Sequence, residues 1–395
     1  MKNNLILGLA IITMLFSCTT DDTSDIIIND NSVINNGGNG GGNGDDECQV
    51  IAAAQYSSDV VLEANQCYII NGPVIMAEGS SLIINEGVTI YAEAEGADVY
   101  VAISQGAKIF ANGTATNPIV FTSNAAAPAA GDWGGLIVLG KAPINSVTGN
   151  ATSTSEIASL PFGGTEDADN SGVIRYVRVE YGGGAADGQS ENNGFSFYGV
   201  GNGTTVEYIQ TYIGKDDGIE FFGGTVNVSY ISMIGCEDDS IDWTEGYTGT
   251  ITNAYVEHLA SHDKGIEADG YNTDFSNEGG YFSKPTVNNL TIIGLGSTTG
   301  NEAIRLRAGT QGIFNNVLIQ GFEEGFDLDG DQGDNPTGAG VLSGDLSVTN
   351  VTFTDVVTKL KNDTGETFGE ADFISGDGNG TGTDYATWGA GWTHQ

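Results

Sequence analysis

Basic residues are scarce in this chain: 12 Lys and Arg stand against 52 Asp and Glu, for a formal net charge of −40. That balance argues against nucleic acid, or any polyanion, as a direct partner without a bridging cation. It favours cations and neutral ligands such as glycans. Proline is scarce too, 7 residues against 60 glycines, which fits many tight turns between short strands. No segment reads as a long amphipathic helix. The one long uncharged apolar run, Leu5 to Phe16, is too short to cross a bilayer as a helix. Cysteine is limited to Cys18, Cys48, Cys67 and Cys236.

The apolar run follows Lys2 and ends in Leu15-Phe16-Ser17-Cys18, which has the form of a lipobox. Residues 1–17 are therefore expected to be a signal peptide, with Cys18 as the lipidated residue that anchors the chain. Thr19-Thr20-Asp21-Asp22 resembles the surface-export signals of Bacteroidetes lipoproteins, which implies the outer face of the outer membrane. Residues 18–47, rich in Asp, Asn and Gly, read as a flexible tether. In that oxidising setting Cys48 and Cys67 are a candidate disulfide, and their spacing alone leaves the pairing open. Cys236 is then left over as a buried small residue.

Repeats set the expected architecture of residues 48–395. Six segments align: 193–197, 217–221, 239–243, 264–268, 302–306 and 324–328. Each has a polar residue, a small one, then apolar-polar-apolar. The small positions are spaced 24, 22, 25, 38 and 22 residues apart, and the long interval holds an insertion around Asn272 to Lys284. Further strand patterns, such as Val226 to Ile231 and Ile251 to Val256, recur between them. Earlier, turns at Gly72, Gly79 and Gly87 suit three short strands per coil. A single all-β domain follows, a right-handed parallel β-helix. Short coils are expected to about residue 165, 22–25-residue coils over about 173–361, and a C-terminal cap at 362–395.

Ala111-Asn112-Gly113-Thr114, Asn117-Pro118-Ile119-Val120-Phe121, Gly131-Asp132-Trp133-Gly134-Gly135 and the ending Thr387-Trp388-Gly389-Ala390-Gly391-Trp392 carry a resemblance. The chain resembles Bacteroidetes surface lipoproteins with a right-handed, pectin-lyase-like parallel β-helix. The resemblance implies the fold. It leaves the activity open, since this fold hosts lyases, hydrolases, adhesins and binding proteins.

Strand alternation puts Ile219, Phe221, Ile241, Trp243, Ile266 and Ala268 inside and leaves two outward columns. One runs Ser196, Glu220, Asp242, Glu267, Arg305, Asp327; the other runs Tyr198, Phe222, Thr244, Asp269, Arg307, Asp329. Stacked Glu220, Asp242 and Glu267 repel unless screened, protonated or bridged by a cation. With Asp217, Asp239 and Asp263 in the preceding turns, the oxygen donors suit calcium, and a solvated acidic face is the alternative. Asp327 to Asp334 is not an EF-hand loop, because Gln332 and Gly338 stand where Gly and Glu are required, which leaves an irregular calcium loop as the alternative. Tyr198 and Phe222 could form a sugar platform beside Glu220, Asp242 and Glu267, or be covered by insertions. Arg305 and Arg307 read as charge pairs across coils or as catalytic cations.

Two classes of function follow. A tethered surface β-helix could bind a glycan or a surface protein, with or without calcium; family context adds an outer-membrane nutrient transporter as a partner. Alternatively it is a polysaccharide lyase or hydrolase, with Asp217, Asp239, His262, Arg305 and Arg307 as candidate catalytic residues. The Gly-His-Gly motif of pectin-degrading hydrolases is absent. A structural or adhesive spacer fits the fold as well.

Overall fold

The structure, a computed structural model, describes residues 34–35, 48–185, 191–329 and 336–394. The expected signal peptide, Cys18 and all of the tether except Ile34–Asn35 lie outside those residues. The fold is a parallel β-helix. Among the described residues its sheet holds 25 strands, and every pairing within it is parallel except that of Ile34–Asn35 with Val50 and Ile51.

Three columns of strands form the walls. Val74–Met76, Ser81–Ile84 and Thr89–Ala92 are the three sides of one coil, each pairing with its counterpart one coil earlier. The intervals between Gly72, Gly79 and Gly87 are thus the lengths of sides, not of coils. From Gly172 onward two sides merge into single long strands, Gly172–Glu180, Thr205–Tyr212, Val228–Ile234, Thr250–Glu257 and Thr286–Ile293. The corner within each is one left-handed residue. Tyr176, Tyr208, Tyr230, Asn253, Asn289, Asn316 and Asn350 stack along this edge with φ between 49° and 60°. Asn tolerates that conformation, while a side chain such as Tyr is strained there by about 1–2 kcal/mol. The tyrosine rings offset the strain by stacking at 4.4 and 4.3 Å, and the amides do so by bonding down the edge. Asn289 Nδ2 donates to Asn253 Oδ1 at 3.0 Å, and Asn316 Nδ2 to Asn289 Oδ1 at 2.8 Å.

The remaining column carries the aligned repeats. Phe195–Tyr198, Ile219–Phe222, Ile241–Thr244, Ile266–Asp269 and Glu302–Arg307 pair in register, with Glu220 beside Asp242, Asp242 beside Glu267 and Glu267 beside Arg305. Ile219, Phe221, Ile241, Trp243, Ile266, Ala268, Ile304 and Leu306 all lie in the core. The small residue before each strand is a steric requirement. A Cβ on Gly218 would lie 2.6 Å from the Ser240 carbonyl oxygen and 2.8 Å from Cys236 Sγ. Cys48 and Cys67 form a disulfide between the first two strands of one column, and Cys236 is a buried free thiol.

The C-terminal region departs from a simple cap. The helix Glu370–Phe373 and strand Ile374–Asp377 close the last coil, with Phe373 against Phe326. Residues 380–394 instead run back along the outside of the solenoid as a strap. Thr381 N–H donates to Asn316 and Thr383 N–H to Thr291; Tyr385 stacks on Tyr255 at 3.9 Å. Trp388 meets Tyr230 edge-on, Trp392 meets Tyr208 and Tyr176, and His394 stacks on Tyr212 at 4.0 Å.

Candidate functional site

Asp217 and Asp239 occupy the turns that lead into consecutive strands of the repeat column. Each accepts the backbone N–H of the residue one coil further on: Asp217 Oδ1 from Asp239 at 3.0 Å, and Asp239 Oδ1 from Lys264 at 2.8 Å. Both are buried. Glu220 and Asp242 stand beside them on the strands. Asp217, Glu220 and Asp242 each bring one oxygen within 4.8 Å of the others, as do Asp239, Asp242 and Glu267, and Asp238, Asp239 and Asp263.

These groups differ in how their charge is met. The Nζ of Lys264 lies 2.5 Å from Asp263, 3.1 Å from Glu267 and 3.9 Å from Asp239. Arg307 pairs with Glu267 and with Asp269. Asp217, Glu220 and Asp242 have no lysine or arginine at ion-pair distance among the described residues. Glu220 receives instead the amide of Asn193, whose Nδ2 donates at 2.7 Å. Asn193 is buried and its Oδ1 lacks a hydrogen-bond partner, which leaves a neutral oxygen donor next to Glu220. Burial, then the charges of neighbouring carboxylates, push Asp217, Glu220, Asp239 and Asp242 well above the usual carboxylate range. Asp216, at the edge of the cluster, is raised to about 8 by burial and then by Glu191 and Asp238. Without a cation, these carboxyls therefore hold their protons more tightly than free ones do.

The structure corrects the second outward column. Tyr198 and Phe222 are each 2% exposed, with rings stacked at 4.0 Å under Ile144, Ile157 and Phe162. They form no sugar platform, because an irregular segment spanning residues 141–165 folds over them. That cover is anchored by Ser146 Oγ donating to Glu245 at 2.6 Å, and by Asn145 Nδ2 donating to the carbonyls of Gly270 and Tyr281. Glu267 is not an open ligand group either, being buried between Lys264 and Arg307.

The remaining candidates are placed as follows. Arg305 makes two bonds to Asp329, at 2.9 and 2.5 Å, and Arg307 bonds Asp269 at 2.6 Å, so both are in charge pairs across coils. His262 is half-buried, with Nδ1 3.1 Å from the Asp263 carbonyl oxygen and its ring 4.3 Å from that of His258. His258 is buried, and burial, then the charge of His262, lower it to about 4. Trp133 is buried and donates to the Glu180 carbonyl, so it serves the core.

Two residues were missed in the sequence. Asn193 occupies the same repeat position as Asp217, Asp239 and Lys264, and reading that position as a column would have found it. Glu156 sits in the irregular cover, where no pattern marks it. Its side chain reaches solvent, yet surrounding protein and the charges of Glu191, Glu245 and Asp274 raise it to about 7. It lines a cleft of about 440 Å³ with Asp98 and Tyr100.

A family model described as a pectate-lyase like beta helix domain matches residues 54–393. Among solved structures, the catalytic unit of a thermostable GH87 alpha-1,3-glucanase from Streptomyces thermodiastaticus strain HF3-3 matches at 11% identity and a TM-score of 0.36. That match covers 86% of this chain and 65% of the glucanase unit, so this chain spans just under two thirds of it. No curated protein matches.

Proposed function

We propose, for a chain that belongs to the pectate-lyase-like β-helix domain family, that its acidic column binds calcium and through it captures a glycan at the bacterial surface. The observation that carries this reading is the group Asp217, Glu220 and Asp242, none of them in an ion pair among the described residues, with the orphaned Asn193 Oδ1 next to Glu220. Buried like charges without a counter-ion are unfavourable, and a hard divalent cation with oxygen ligands removes the penalty. Asp239 stands next to this group through Asp242, and Asp263 joins the proposed metal set through Asp239 once Lys264 gives up its pairing with it. In this reading Cys18 carries the lipid that holds the protein in the outer membrane, the tether lets the solenoid reach outward, and an outer-membrane transporter receives what it captures. A surface protein bound through the same face is the alternative ligand.

Calorimetric titration with calcium chloride, followed by glycan-array binding with calcium and with chelator, tests the proposal. Calcium binding that Asp242→Asn abolishes supports it. Failure of the intact protein to bind calcium would sink it.

A second reading, cleavage of a polysaccharide, is favoured by Glu156. A solvent-reaching carboxyl raised to about 7 beside a cleft is the pattern of a general acid. Incubation with plant, algal and host polysaccharides, following reducing ends and the ultraviolet absorbance of unsaturated sugars, decides it. Products lost in Glu156→Gln would establish a hydrolase or lyase; no product on any substrate would leave a binding protein.

A further inference from the structure

On another face of the solenoid, the strap and the coils beneath it enclose a groove of about 630 Å³. This is the volume of a small-molecule site. Its floor is Ile234, and its walls are Tyr212, Tyr255, Tyr385 and Leu259. Its rim carries Glu257, Asp384 and Thr383. The lining residues hold one another in place. Tyr385 is stacked on Tyr255, and Tyr255 Oη donates to Glu257 at 2.8 Å, fixing that carboxylate. Leu259 is kept at the surface, 37% exposed, and seats against Gly235, where any Cβ would approach its Cδ1 to 2.7 Å.

The lining selects an occupant. Its side-chain polar groups are two carboxylates and hydroxyls, with no lysine, arginine or histidine among them. Such a rim accepts hydrogen bonds from hydroxyl groups and repels anions, as does a chain of net charge −40. The apolar walls match the C–H faces of a sugar ring. We infer that the groove under the strap is a second binding site, taking an uncharged oligosaccharide whose ring faces lie against Leu259 and the tyrosines and whose hydroxyls donate to Glu257 and Asp384. It works without a metal and is separate from the acidic column.

The test is calorimetric titration of the full-length protein with maltohexaose, cellohexaose, xylohexaose and mannohexaose in excess chelator, which silences the calcium-dependent site. Saturable binding of at least one sugar is expected. Leu259→Ser and Glu257→Gln should each weaken it by about tenfold or more, while Asp242→Asn leaves it unchanged. Leu259 is exposed, so its variant keeps the fold, and an unchanged thermal midpoint verifies this. Absence of binding by all four sugars overturns the inference. So does binding that survives both groove variants, binding that Asp242→Asn removes, or saturable binding of tetramethylammonium that no sugar displaces.

Discussion

Asp217 takes the backbone N–H of Asp239, and Asp239 takes that of Lys264 in the next coil. The carboxyl oxygen thus has a bonding role distinct from its charge. Asp239→Asn keeps an acceptor and takes away only one of the three carboxyls around Lys264, so stability to urea should fall little. Asp239→Ala strands the Lys264 amide and should lower stability by about 1–3 kcal/mol. Equal losses in both variants would show that the charge, not the acceptor, is what the fold uses.

Calcium should raise the thermal midpoint of the protein. Binding to the native state alone stabilises by about 2.7 kcal/mol when free calcium is a hundred times the dissociation constant. Glu220→Gln and Asp242→Asn should each shrink that rise, and magnesium, which demands a tighter six-oxygen shell, should replace calcium poorly. Scanning calorimetry with each ion and with chelator measures it.

The calcium-free protein should respond to pH in two stages. Carboxyls raised above their unfolded values, Glu156 to about 7 and Asp217, Glu220, Asp239 and Asp242 well above the usual range, bind protons more tightly in the native state. Their stabilisation is present at low pH and lost as pH rises through the folded values. Acidifying from about pH 8 to about 6.5 should therefore raise the midpoint. Below about pH 6.5, the ordinary histidine value, His258 opposes the trend. It is held neutral down to about 4, so its contribution is lost as pH falls through that value. His258→Phe should let the rise continue further into acid. Thermal midpoints across pH in chelator test both stages.

Reduction of Cys48–Cys67 should loosen the first coil and leave the rest intact. The bridge closes a 19-residue separation between two paired strands. Loops of that size are worth about 3 kcal/mol in chain entropy. Amide exchange of the double Cys→Ser variant should speed up over residues 49–70 and remain unchanged near Ile241. Uniform acceleration would show that the first coil does not unfold by itself.

The repeat column was legible because its signal is local. Apolar-polar-apolar strands such as Ile219–Phe221 after a small residue declare their inward face, and the recurrence of that pattern declares the stacking. The corner residues were hidden: Tyr208 and Asn253 sit inside what reads as one continuous strand. The fate of Tyr198 and Phe222 was illegible for another reason. Their cover, with Ile144 and Phe162, comes from a segment without periodicity. The acidic column was legible as a row of like charges, but the unequal distribution of its counter-charges was not. Lys264 and Arg307 both turn toward Glu267, and only the arrangement in space reveals that Asp217, Glu220 and Asp242 are left outside any ion pair among the described residues.

The strap changes what kind of polymer this solenoid is. In a stack whose repeats touch only their neighbours, each coil can melt away from an end on its own, and cooperativity fades with length. Here Arg178 donates to the Trp392 carbonyl and Gln210 to that of His394, contacts between residues 214 and 184 positions apart. The tail leaves the last coil and is fastened some seven coils back. Peeling the C-terminal coils one at a time therefore requires the tail to let go of the middle of the stack first. Fraying at one end becomes a single joint event, and the array behaves as a closed loop.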